Sequence, residues 1–152
     1  MDWRAVVVLA HVLAAFGFVA GYVGTNLCTE LARRTRSDQD RRAALLLSGR
    51  FDRWLNAPGG AAVSLSGIVA LWVFGYSLTT LWIVLTVLLM AGVISLGIFY
   101  WSRFGGRVEA AVAADDWPGV RRLLTQPRVV LLSRVENASV LTVIVLMVLR
   151  PA

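Results

Sequence analysis

Four long apolar runs govern what this chain can fold into. They cover about residues 5 to 28, 59 to 78, 81 to 102 and 129 to 149, roughly 19 to 24 residues each. A helix rising ~1.5 Å per residue needs about 20 residues to cross ~30 Å of hydrocarbon. Backbone N–H and C=O groups cannot go unpaired in lipid, so each run must be helical. The expected fold is all-α. It is an integral membrane antiparallel four-helix bundle, one transmembrane domain over residues 1–152, with short amphipathic helices on the cytoplasmic surface. Composition agrees: 58% of the 152 residues are hydrophobic and 16% charged, more apolar surface than a soluble domain of this size can hide. The first run has no basic stretch before it beyond Arg4 and is too long for a cleaved signal peptide, so it reads as a retained helix.

The net charge is +6, and all 15 basic residues are arginines. Their placement matters more than their number. The connection from about 29 to 57 carries Arg33, Arg34, Arg36, Arg41, Arg42, Arg50 and Arg53. The one from about 103 to 128 carries Arg103, Arg107, Arg121, Arg122 and Arg128, whereas the hairpin "GYSLTTLW" has no charge. Arg4 and Arg150 stand alone near the two ends. The positive-inside rule therefore puts both long connections in the cytoplasm and both termini outside. This is the pattern of membrane orientation rather than of a nucleic-acid-binding patch, and the arginines are expected to contact anionic lipid heads. The single cysteine, Cys28, excludes an internal disulfide and a cysteine-based metal cluster.

Both connections carry helix signals. "QDRRAALLLSGRFDRWL" mixes arginines with Leu45, Leu46, Leu47, Phe51, Trp54 and Leu55. It reads as a short helix lying at the membrane surface, capped by Ser37 or Asp38 and ended by "NAPGG". In the second connection "FGG" is expected to break the third helix and "RVEAAVAADDWPGVRRLL" to form one or two short amphipathic turns. Pro127 marks the start of the fourth helix.

Within the first run, Ala10, Ala14, Gly17, Gly21, Gly24 and Cys28 recur at spacings of four and three, forming one continuous small face. In lipid such faces let helix backbones touch, within the bundle or between subunits, or approach a flat cofactor. His11, the only histidine, lies on the neighbouring stripe, ~9 Å deep by residue count. Ionisable groups at that depth face protein or water. One reading is a neutral imidazole bonded to a hydroxyl on another helix, with Trp72, Thr86 and Thr142 near its level. The others are a proton relay or a haem ligand, for which Met90 or Met147 could supply a second axial position. A site for zinc or copper built only from protein ligands is not expected from one histidine.

The fourth run holds Glu136 and Asn137 about ten ångströms inside its cytoplasmic end. A carboxylate there needs a partner or a proton. By depth the candidates are Tyr22, Thr25 and Asn26 of the first helix and Ser64 and Ser66 of the second, with Arg53 and Arg103 reaching in from the surface. The cluster reads as an interhelical polar clasp or as a ligand- or ion-binding carboxylate. No phosphate-binding loop and no Ser/His/Asp set can be assembled.

"LAHVLAAFGFVAGYVG", "LWIVLTVLLMAG" and "SRVENASVLTVIVLMVLRP" together resemble the small four-helix bacterial membrane proteins grouped as domain of unknown function 2269, over nearly the whole chain. That resemblance implies the bacterial inner membrane. The histidine-bearing first helix is also similar to the copper-resistance protein D domain and to HemJ-type protoporphyrinogen oxidases. The latter implies haem b, and only His11 carries over. The reading favoured by these features is a non-catalytic accessory or self-associating membrane subunit, a homo-oligomer or part of a larger complex. A haem-binding redox protein with His11 as axial ligand is the alternative, and a small-molecule transporter a weaker one.

Overall fold

The computed structural model describes residues 2–149; Arg150, named above as an outer charge, lies outside the described residues. The described chain is helical throughout apart from short connections. Four stretches are long and apolar enough to cross a membrane: Trp3–Arg34, Asp38–Phe74, Leu81–Ala113 and Pro127–Leu149. The chain divides into two compact units, Met1–Tyr76 and Ser77–Ala152.

In the first unit, α1 (Trp3–Arg34) is capped by Asp2, whose carboxylate accepts from the Arg4 amide at 3.0 Å. It ends at Thr35, with Glu30 paired to Arg34 at 2.6 Å and Arg33 at 3.2 Å. The chain turns and enters α2 (Asp38–Phe51), capped by the Ser37 hydroxyl accepting from the Asp40 amide at 3.2 Å, as the sequence led one to expect. Arg41 holds this turn together. Its side chain is 2% exposed and donates to the carbonyls of Ala32 (3.0 Å) and Thr35 and to the Asp38 carboxylate. It satisfies carbonyls that the last turn of α1 would otherwise leave orphaned. Arg41 is thus a structural cap rather than a contact to lipid heads.

"NAPGG" does not end α2, contrary to expectation. A π-helical turn, Asp52–Asn56, carries the helix straight into α3 (Ala57–Phe74). Pro58 lacks an N–H and crowds the carbonyl four residues back, and the Ala57 amide bonds to the Asp52 carbonyl just before it. The wider turn absorbs the proline without breaking the rod. The glycines serve contact instead: a Cβ on Gly59 would lie 2.6 Å from the Phe18 backbone nitrogen. At 37 residues, ~55 Å, this rod outreaches the ~30 Å hydrocarbon layer, and α2 runs on into α3 rather than standing as a separate helix. Gly75, at φ +66°, ends α3 in the left-handed conformation, and the Tyr76 amide reaches back to the Leu71 carbonyl at 3.1 Å.

α1 and the α2–α3 rod run antiparallel. Thr29 meets Ser48 at 3.1 Å, Gly24 faces Phe51, Gly21 faces Leu55 and Asn56, and Gly59 faces Phe18. The small face of α1 is therefore used inside the chain along much of its length, and Cys28 is buried.

The second unit begins with α4 (Leu81–Leu96), a second π turn (Gly97–Trp101) and α5 (Ser102–Ala113). Here too the expected break at "FGG" is absent: Gly105 and Gly106 lie inside α5, where the helix sustains them at a modest propensity cost of ~1 kcal/mol each. After a turn with Asp115 at φ 51°, α6 (Trp117–Leu124) starts at Asp116, whose carboxylate accepts from the Gly119 amide at 2.9 Å. Pro127 opens α7 (Pro127–Leu149), as expected. Phe104, Val108, Val120, Leu124 and Val129 are buried at this end, and Ile83, Val93, Val140 and Val143 along the spans.

Candidate functional sites

His11 and Glu136 each meet a polar side chain of another helix, one pair in each unit. In the first, His11 Nδ1 lies 2.9 Å from the Ser66 hydroxyl. The Ser66 hydroxyl also lies within hydrogen-bond distance of the carbonyls of Ala62 (2.7 Å) and Val63 (3.2 Å). The ring edge rests on α3 where Gly67 leaves room, for a Cβ there would sit 3.3 Å from His11 Cε1. The hydroxyl expected for His11 is present, but on Ser66, which residue counting had assigned to the Glu136 level. The cause is the end of α3. It stops at Phe74 rather than at 78, so Ser66 lies eight residues from the end of its helix, as His11 does from Trp3, both ~12 Å in. Trp72 is 86% exposed instead, and Thr142 bonds the Ala138 carbonyl at 2.8 Å. Thr86 is buried. Met90 and Met147, the other candidate haem ligands, belong to α4 and α7 of the second unit and are half-buried there.

In the second unit Glu136 is buried, and the Trp101 indole N–H donates to its Oε2 at 2.7 Å. Trp101 sits in the π turn, Glu136 on α7, so the pair ties the two spans of that unit. Of the residues grouped with Glu136 by depth, Tyr22, Thr25, Asn26, Ser64, Ser66 and Arg53 lie in the first unit. Thr25 bonds the Gly21 carbonyl at 2.9 Å, Asn26 that of Tyr22 at 2.9 Å, and Ser64 that of Gly60 at 2.8 Å. Tyr22 is buried against Phe18, ring centroids 5.9 Å apart. Arg53, Arg103 and Asn137 are exposed.

Sequence reasoning missed Trp101 and the rings around it. Tyr100 and Phe104 stack nearly parallel (4°, 6.3 Å), and Trp101 stands edge-on to both at 5.1 and 5.7 Å. Arg128 lies over Tyr100 and Arg107 over Phe104, each 5.8 Å from the ring centroid. The signal was present in "YWSRFGGR", where Tyr100 and Phe104 are four apart and Phe104 and Arg107 three apart, spacings that share a helix face.

A membrane-spanning all-α chain with these paired polar groups fits a class of small polytopic membrane proteins. The chain belongs to the family described as predicted integral membrane protein (DUF2269), whose profile matches residues 5–151. Its apolar helices are therefore in contact with a lipid bilayer. No curated protein and no solved structure matches the chain.

Proposed function

We propose that this is a non-catalytic membrane subunit that acts by packing, an accessory component of a larger complex. The observation that supports it is the use made of the polar groups inside the spans. His11 is tied to Ser66 and Glu136 to Trp101, so both act as bonds between helices. Self-association through the small face of α1 has less support, since Gly21 and Gly24 are already covered within the chain. The proposed setting is the bacterial inner membrane, with both termini outside and the arginine-rich connections in the cytoplasm. Crosslinking in native membranes followed by purification is expected to yield a constant partner protein at fixed stoichiometry. A strictly monomeric protein with no partner would contradict the proposal.

Haem b is the second reading, favoured by one observation: Ser66 holds one ring nitrogen of His11 by a hydrogen bond, the kind of support that orients an imidazole ligand. An absorption spectrum of the purified protein separates the two, since a Soret band lost in His11→Ala supports haem and its absence supports the packing role.

A further inference from the structure

We propose that Arg107 and Arg128, held on the Phe104–Tyr100 ring pair, form a binding site for the phosphate of an anionic phospholipid headgroup. Each guanidinium lies 5.8 Å over its ring. Contact through the face leaves the N–H edges of each guanidinium open, and such a forked edge matches the oxygens of a phosphate. The ion pairs among the described residues involve Arg33, Arg34 and Arg41, so neither Arg107 nor Arg128 is committed to a carboxylate. The platform is firm: Phe104 is 6% exposed, and the rings brace one another.

Position selects a lipid. Tyr100 lies 19 residues beyond the start of α4, ~29 Å along the helix, at the far edge of a ~30 Å hydrocarbon layer. Phosphates sit just beyond that edge, where aromatic rings gather. Arg107 is about two turns further on, but helical side chains lean toward the N-terminus, which draws its guanidinium back over Phe104. Phe99, the residue before Tyr100, is 64% exposed and offers apolar surface to an acyl chain, which a soluble phosphate has no use for.

The test is native mass spectrometry of the full chain in mild detergent with an equimolar mixture of phosphatidylglycerol and phosphatidylcholine. The wild type is expected to retain phosphatidylglycerol by about tenfold, and the Arg107→Gln/Arg128→Gln variant to approach parity. Arg36→Gln, an exposed arginine away from the rings, should keep the wild-type ratio. An unchanged ratio in the double variant, or an equal loss in Arg36→Gln, overturns the site. Inorganic phosphate that displaces phosphatidylglycerol at equal concentration overturns the lipid assignment. If the double variant melts early, Arg107→Lys/Arg128→Lys replaces it. That pair keeps the charge but loses the forked donors, and it must still lower the ratio for the proposal to stand.

Discussion

Gly21 and Asn56 are in backbone contact: a Cβ on Gly21 would come within 2.3 Å of the Asn56 amide nitrogen. The neighbour is backbone, which cannot rotate away as a flexible side chain could. Gly17, on the same small stripe, has open space at its Cβ position.

The two glycines should therefore respond oppositely to a methyl group. Gly21→Ala is expected to destabilise by about 1–3 kcal/mol, because the π turn must move off α1. Gly17→Ala should be neutral or gain up to ~1 kcal/mol from helix propensity. Gly21→Leu should likewise disrupt packing more than Val19→Leu. Thermal unfolding in one detergent ranks the four variants, and equal melting temperatures would remove the case for a packing face.

Arg41 gives a second contrast. Its guanidinium is buried on the Ala32 and Thr35 carbonyls and the Asp38 carboxylate. Arg41→Met leaves those acceptors without a donor and should cost about 1.5–3 kcal/mol. Arg36→Gln, at the exposed surface of the same turn, should change stability by less than ~0.5 kcal/mol. Denaturation of both variants side by side checks this, and a loss as large for Arg36 as for Arg41 would contradict the cap.

The spans, the Ser37 cap and the Pro127 helix start were legible because each depends on local chemistry, namely an apolar run, a hydroxyl acceptor and a ring without an N–H. The breaks expected at "NAPGG" and "FGG" were not real, because breaker residues report only a local cost. The π turn before Pro58 and the contact of Gly59 with Phe18 offset that cost through geometry that no window of sequence displays. The small face of α1 was visible as a period of three and four, but not that the α2–α3 rod covers it. His11 was given a hydroxyl partner correctly in kind. The partner's identity was missed because a four-residue error at the end of α3 shifts depth by ~6 Å. Trp101 escaped notice because pairing by depth searched for hydroxyls and arginines and passed over an indole donor.

Topology is open to a direct check. A tag at the N-terminus should be cut by a protease confined to the outside, and a tag within residues 35–40 should stay protected. The arginine distribution is the reason, and reversed accessibility would invert the proposed orientation.

The buried polar groups tie helices together, and the Trp101–Glu136 pair offers the sharpest check. Trp101→Phe removes the donor, Glu136→Leu the acceptor, and the double variant both. Unfolding all three with the wild type, in one detergent at one pH, yields their coupling. A coupling of about 0.6 kcal/mol is expected, the usual worth of a hydrogen bond between membrane helices, with Glu136→Gln close to wild type because its amide oxygen still accepts from the indole. A coupling of zero, or a Glu136→Gln variant as unstable as Glu136→Leu, would contradict it.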